Sequence, residues 1–324
     1  MTKAIRIHEQ GGPEKLKWED VPVGKPGDGQ VRLRQTAVGL NYIDVYQRTG
    51  LYPIKDLPAV IGMEAAGVIE ELGPGVKGFK KGDRVAYTMG LGAYTQERVM
   101  GTERLIPLPQ GIDEKTAASM MLKGMTAYYL LRRTYAVKKG DTILVYAAAG
   151  GVGLIMCQWA KHLGATVIGC VGSEEKAKLA KANGCDHPIL YRTENVVERV
   201  KAITGGEGVP VVYDSVGKAS FMNSLDSLRP FGLLATFGNS SGPVDPISPA
   251  ILAPKGSLYL TRTTLATHTR TRELMMECAN GLFDVVKKGA VKIAINQSYP
   301  LKDTAQAHRD LEARKTTGST VLMP

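Results

Sequence analysis

Residues 142–153 read Thr-Ile-Leu-Val-Tyr-Ala-Ala-Ala-Gly-Gly-Val-Gly, and this stretch limits the possible folds more than any other. An apolar run (Ile143, Leu144, Val145) gives way to small residues and glycines. An apolar helical pattern follows at once through Leu154, Ile155, Cys157, Trp159 and Ala160. Strand, tight turn and helix in that order place backbone N–H groups at the positive end of a helix, where a pyrophosphate can sit. The turn departs from G-x-G-x-x-G, because its three positions are Ala148, Gly150 and Gly153. Alanine at the first position still permits close approach. An ordinary βα turn also carries glycines; the strand before and the helix after are what point to a bound dinucleotide.

The surrounding pattern agrees. Strands are expected at 143–147, 166–171, 188–191, 209–214, 232–237 and 257–261, with helices between the first four and another around 218–228. This alternation predicts an α/β fold, a doubly wound parallel sheet of six strands. The first ~110 residues are β-rich instead, with short segments at 4–8, 31–38, 67–72 and 84–87 broken by glycine and proline turns. Residues 114–134 carry apolar positions at helical spacing without proline, as a helix bridging two domains would. A helix at 269–288, a strand at 291–298 and a helix at 302–314 are too few for a third domain and are expected to complete the first. The expected division is 1–125, completed by 265–324, and 126–264.

The end of the second strand bears on the cofactor. An NAD site places Asp or Glu there, about 20 residues past the first glycine, to hold the ribose hydroxyls. Here the strand ends in Gly172 and Ser173 without a carboxylate, Lys176 follows one helical turn on, and Tyr191 closes the third strand beside Arg192. Small residues and a cation admit a 2′-phosphate, which predicts NADPH. The alternative makes Lys176 a solvated helix residue and Glu174 or Glu175 the ribose ligand.

Bulk properties exclude several classes. No apolar run approaches a membrane span, and the N-terminus lacks the apolar core of a secretory signal. Cys157, Cys170, Cys185 and Cys278 form no C-x-x-C pair, so neither a disulfide framework nor a zinc cluster is indicated, and a cytoplasmic location is the default. The net charge of +10 suits anionic ligands, but the basic residues are spread along the chain without a dense block, against nucleic acid as the main partner.

The chain resembles the quinone oxidoreductases of the zeta-crystallin type, bacterial NADPH:quinone reductases above all, within the medium-chain dehydrogenase/reductase superfamily. The resemblance runs over essentially the whole sequence. It is carried by Gly39-Leu40-Asn41-Tyr42-Ile43-Asp44, Gly50-Leu51-Tyr52-Pro53, Glu64-Ala65-Ala66-Gly67, Lys123-Gly124-Met125-Thr126-Ala127, the 147–153 turn, Val212-Tyr213-Asp214-Ser215-Val216-Gly217 and Phe237-Gly238-Asn239-Ser240-Ser241-Gly242. It implies a chaperonin-10-like catalytic domain, a Rossmann domain for NADPH and a cofactor cleft between them. It further implies cofactor contacts at Asn41, Tyr42, Ile43, Asp44, Val45 and Tyr46 beside the nicotinamide. Tyr129 lies on the bridging helix, Gly151 and Val152 at the pyrophosphate, and Gly172, Ser173, Lys176 and Tyr191 at the 2′-phosphate. Val216, Phe237, Asn239, Thr263, Thr264, Leu265 and Arg314 complete the set. For several of these the residue pattern leaves packing open as the alternative: Asp44 can cap a helix through 45–48, and Tyr42, Ile43 and Val216 can be core.

Zinc relatives in this superfamily carry a Gly-His-Glu segment, which here is Gly62-Met63-Glu64, and their first cysteine ligand falls at Asn41. A thioether is a poor zinc ligand, so no metal is expected. Chemistry is then expected to come from placing the reduced nicotinamide against an electron-poor acceptor in a water-poor site, with Tyr46 and Tyr52 as acceptor-side candidates that either donate a hydrogen bond or only line the site. Reduction of an activated carbon–carbon double bond uses the same fold and cofactor and is the alternative. An NADPH-binding nucleic-acid or structural protein is the alternative from another class. The sixth strand is expected at a sheet edge, where Leu258, Tyr259 and Leu260 would be a liability if exposed, and the resemblance implies that a two-fold axis pairs this edge in a homodimer.

Overall fold

The computed structural model describes all 324 residues, which divide into two compact units. The first holds Met1–Met125, Thr269–Phe283 and Ile293–Pro324; the second holds Thr126–His268 and Asp284–Lys292. No helix is long and apolar enough to cross a membrane.

In the first unit the strands are β1 (Thr2–Ile7), β2 (Lys17–Val21), β3 (Gln30–Leu40), β4 (Ala59–Val60), β5 (Glu64–Leu72), β6 (Arg84–Thr88), β7 (Glu97–Gly101) and β8 (Ile106–Pro107), with helix α1 (Tyr42–Thr49) after β3. Strands β2, β1 and β4 form a small antiparallel sheet. The larger sheet contains β3, β5, β6 and β8, and β7 pairs with β3. Alternating apolar residues of these strands, among them Ile5, Ile7, Val31, Leu33, Ile69 and Val85, meet Tyr87, Tyr94 and Leu105 in one buried core.

Helix α2 (Glu114–Tyr129) runs into a π-helical turn at Leu130–Thr134. Continuous α-helix through 134 is therefore corrected at its end. The wider turn presents the Leu130 carbonyl to Tyr135 N and to the Tyr213 hydroxyl, at 3.2 Å each.

The second unit contains β9 (Thr142–Val145), α3 (Gly151–His162), β10 (Thr166–Val171), α4 (Glu174–Ala182), β11 (His187–Leu190), α5 (Val196–Ile203), β12 (Val209–Asp214), α6 (Phe221–Asp226), β13 (Leu228–Thr236) and β14 (Tyr259–Arg262). The sheet order is β11-β10-β9-β12-β13-β14, parallel throughout, so the order reverses beside β9. Every residue of β12 is buried, as a central strand covered on both faces requires. The strand expected at 257–261 starts later, because Ser257 turns with φ +54° and Leu258 packs into the core. Strand β14 is the edge, with Tyr259 61% and Leu260 38% exposed.

After β14 come α7 (Leu265–His268), α8 (Arg272–Lys287), β15 (Ile295–Pro300), α9 (Thr304–Glu312) and β16 (Ser319–Met323). Strands β15 and β16 extend the first unit's larger sheet beside β3. The strand lies at 295–300 rather than 291–298. Residues Asp284–Lys292 group with the second unit, where Gln158 brackets Lys292: its Nε2 donates to Lys292 O at 3.0 Å and its Oε1 accepts from Lys292 N at 2.8 Å.

Candidate functional site

The glycine turn lies between β9 and α3, at the reversal of strand order where ligands bind such sheets. Gly150 is the N-cap of α3, and Gly151 and Val152 open the helix, so their amides belong to the first turn, which has no partners within the helix. A β-carbon at Gly153 would lie 2.3 Å from Ala147 O, so this helix approaches the turn more closely than any side chain allows. The alanine at position 148 is accommodated from the neighbouring strand. A β-carbon at Gly169 would stand 2.7 Å from Ala148 Cβ, so the space a glycine would free in the turn is freed in β10 instead.

At the end of β10 the structure brings together residues that are 19 positions apart in the chain. The Tyr191 hydroxyl sits against Gly172, 2.8 Å from where a β-carbon there would be. Ser173 caps α4 by accepting from Lys176 N at 3.4 Å. Glu174 and Glu175 are exposed on the outer side of this turn. The corner is open, small and hydroxyl-lined, with Lys176 in the first turn of α4.

The loops after β12 and β13 interlock. Buried Asp214 organises the first: Oδ1 accepts from Val216 N at 2.7 Å and Gly217 N at 3.2 Å, while Oδ2 accepts from Ser220 Oγ at 2.6 Å and Ser224 Oγ at 2.7 Å. Ser241 N donates to Val216 O at 2.8 Å, and Phe237 N donates to Asp214 O at 2.8 Å. Asn239, with its amide oriented to satisfy both groups, donates to Gly238 O and accepts from Arg262 Nη2 at 3.2 Å. Val216, Phe237 and Asn239 thus share one end of the sheet. Thr263 follows β14 and pairs with His268 Nε2 at 2.9 Å, Thr264 Oγ1 pairs with Thr267 Oγ1 at 3.1 Å, and Leu265 is buried. The His268 imidazole stacks on Tyr129, with centroids 4.3 Å apart and planes 6° apart. Tyr129 is 2% exposed, with His268 stacked on its ring.

In the first unit Asn41 precedes α1, and its backbone N–H donates to Asp44 Oδ2 at 2.9 Å, the reciprocal half of a capping box. The helix starts at Tyr42 rather than at 45, with Asn41 as its cap, so Asp44 is the third helical residue and not the cap itself; Asp44, Val45 and Tyr46 are buried, and Tyr42 and Ile43 are half-buried. Tyr42, Tyr46 and Tyr52 form a row, with ring centroids 5.6 Å and then 5.1 Å apart. Burial raises the Tyr42 phenol, Glu312 adds to that, and Arg314 and Arg48 oppose it. Arg314, in a left-handed turn (φ +59°) after α9, is thus near the same row.

Beneath α1 lies a polar network that composition and motif did not reveal. Tyr94 O–H donates to Asp44 Oδ2 at 2.7 Å, and Tyr94 Oη meets His308 Nε2 at 3.0 Å. His308 Nδ1 meets Arg48 Nη1 at 3.0 Å, and Arg48 makes a bidentate pair with Glu312 at 2.9 and 2.8 Å. Burial pushes the Asp44 carboxyl up to about 7, against the hydrogen bonds from Tyr94 and the Asn41 amide and the charge of Lys123. Burial, then Arg48, lowers His308 to about 3, so the ring is neutral. The signal that points to His308 is its place on the inward stripe of α9, with Thr304, Ala307 and Leu311 at helical spacing.

The positions that correspond to zinc ligands are otherwise engaged. Asn41 Nδ2 donates to Glu64 Oε2 at 2.8 Å, Leu122 N donates to Glu64 Oε1 at 2.7 Å, and Lys123 Nζ stands 3.4 Å from Glu64 Oε2. Met63 Sδ accepts from Gln47 Nε2 at 3.1 Å. No three His, Cys, Asp or Glu side chains gather as a metal site.

Residues 27–141 match the alcohol dehydrogenase GroES-like domain family, and residues 151–280 match the family described as zinc-binding dehydrogenase. A quinone oxidoreductase of Pseudomonas aeruginosa is 51% identical over 325 aligned positions, covering 100% of both chains. A 2-haloacrylate reductase of a Burkholderia species is 49% identical, covering 100% of this chain and 99% of its own. The crystal structure of Escherichia coli quinone oxidoreductase complexed with NADPH superposes with a TM-score of 0.97 at 46% identity, over 99% of this chain and 100% of that one.

Proposed function

The chain belongs to the quinone oxidoreductase family of the medium-chain dehydrogenase/reductases, and from that premise we propose that it reduces quinones with NADPH. The observation that carries this is the full-length likeness to a quinone oxidoreductase crystallised with NADPH. Two features of the chain fit that cofactor: the turn at Gly153 that no β-carbon can enter, and the carboxylate-free corner where Tyr191 meets Gly172. When bound, NADPH supplies the reducing equivalents.

In this reading the first-turn amides of Gly151 and Val152 hold the pyrophosphate. Gly172, Ser173, Lys176 and Tyr191 receive the 2′-phosphate. The strand-end residues Val216, Phe237 and Asn239, the segment Thr263, Thr264 and Leu265, and Tyr129 line the ribose and nicotinamide path, with Asn41 through Tyr46 and Arg314 on the catalytic-domain side. Tyr46 and Tyr52 face the acceptor. Their rings pack edge to face, with centroids 5.1 Å apart. Full turnover by both Tyr46→Phe and Tyr52→Phe would remove them as proton donors.

Zinc, which the name of one matched family implies, does not fit. Asn41 and Glu64 already bond each other, and Met63 offers only a thioether. The β14 edge, with its exposed Tyr259 and Leu260, is the surface we assign to a homodimer; light scattering that returns the monomer mass of 34.8 kDa at micromolar concentration would refute it. The four free, buried cysteines fit a reducing, cytoplasmic setting.

The 2-haloacrylate reductase at 49% identity favours a second reading, reduction of an activated double bond. Oxidation of NADPH by a panel of simple quinones, run beside NADH and beside 2-chloroacrylate, separates the two. Quinone turnover specific to NADPH supports the first reading, and turnover of the alkene alone transfers the function to the second. Tight NADPH binding without either turnover refutes both.

A further inference from the structure

The reading above places Asn41 through Tyr46 at the cofactor and gives no role to the hydrogen-bond network that joins Asp44 to Arg48 beneath α1. Asp44 and Arg48 lie one turn apart on the buried side of the helix, 0% and 1% exposed. Asp44 is faced by Tyr94 from the loop before β7, by Glu64 of β5 and by Lys123 of α2; Arg48 is faced by His308 and Glu312 of α9. The chain of bonds between them has one polarity. Arginine only donates, so His308 Nδ1 accepts and Nε2 carries the hydrogen; Nε2–H donates to Tyr94 Oη, and Tyr94 O–H donates to Asp44 Oδ2. Arg48 Nε donates in addition to Gly11 O at 3.0 Å. A helix of eight residues has little intrinsic stability, and these bonds pin both of its ends.

We propose that Tyr94 and His308 are positioning residues: by tying Asp44 at the start of α1 to the Arg48–Glu312 pair at its end, they set the rotation at which Tyr42 and Tyr46 leave the helix. This rests on the reading that puts those tyrosines beside nicotinamide and acceptor. A buried side chain that acts through helix orientation alters turnover more than cofactor affinity, because the 2′-phosphate and pyrophosphate contacts lie elsewhere.

The test is Tyr94→Phe, which keeps the ring that packs over Gly62, where a β-carbon would lie 2.2 Å from Tyr94 Cδ1. The expected result is a kcat with quinone lowered about tenfold and an NADPH KM changed less than about twofold. In the cofactor-free protein, the pH midpoint of stability that belongs to Asp44 should move upward, because the carboxylate has lost a donor. His308→Gln, whose amide nitrogen replaces Nε2–H, should keep most of the kcat and leave the Asp44 midpoint in place, and His308→Leu should do neither. Wild-type kcat in Tyr94→Phe overturns the proposal. So does a loss of kcat that tracks a lower melting temperature while the pH midpoint stays in place. Tyr46→Ala is measured in parallel. If it is impaired and Tyr94→Phe is not, the positioning role alone fails; if neither variant affects quinone turnover, the acceptor-side reading fails with it.

Discussion

Lys123 and Glu64 pair at 3.4 Å inside the first unit, where Glu64 is wholly enclosed and the Lys123 side chain is 8% exposed. Asn41 and the Leu122 amide complete the carboxylate's shell, and Lys123 Nζ also donates to Leu40 O at 3.1 Å. A charge held this deep is tolerated because every oxygen has a donor, while the pair itself is no assurance of stability.

Removing one partner is therefore costly. Lys123→Met is expected to lose about 3–5 kcal/mol in urea unfolding, because it leaves a buried carboxylate uncompensated. Lys123→Met combined with Glu64→Gln should recover much of the loss, since the remaining amide needs no counter-charge. A single variant as stable as wild type would show that the backbone and Asn41 donors suffice.

The glycine turn separates two substitutions of equal size. Gly153→Ala drives a β-carbon into Ala147 O at 2.3 Å, backbone that cannot yield cheaply, and should cost about 2 kcal/mol or more along with NADPH affinity. Gly150→Ala meets the same oxygen at 3.2 Å and should be far milder. Thermal unfolding and NADPH fluorescence titration of both variants check the difference.

Lys176→Ala should raise the NADPH dissociation constant about tenfold and leave that for NADH unchanged, as loss of one charge-assisted contact to a phosphate predicts. An unchanged ratio of the two constants would return the ribose site to Glu174 or Glu175.

Asp44 and His308 make a pH prediction with opposing signs. Asp44 is raised from 3.8 to about 7, so its contribution to stability is complete below 3.8 and is lost as pH rises through about 7. His308 is lowered from 6.5 to about 3, so its contribution is present above 6.5 and is lost as pH falls toward 3. Between 3.8 and 6.5 the folded pair holds its proton on Asp44 and the unfolded pair holds its proton on the histidine, so the two slopes cancel. His308→Gln should uncover the Asp44 slope: relative to wild type, stability should fall with rising pH across that window by at most about 1.4 kcal/mol per unit. Parallel stability curves for the two proteins would show that His308 contributes no slope and is not held neutral by the fold.

The Rossmann half was legible because its signals are local. An apolar strand, a glycine turn and an apolar helix are adjacent in the chain, and hydrophobic periodicity carries the elements that follow. The same local code failed where neighbours in space override it, as at the π-turn after Tyr129 and at Ser257, where Leu258 is drawn into the core before β14 begins. The sequence alone determined the class of fold, the kind of cofactor turn and the missing carboxylate at residue 172. Only tertiary structure decided why Ala148 is tolerated, since the relief comes from Gly169 in another strand. It also decided that Asp44 accepts from the Asn41 amide at the start of α1 and reaches His308, 264 residues further along, through Tyr94. A hydrogen bond closes only when the fold has brought donor and acceptor within about 3 Å, and no spacing along the chain encodes that distance.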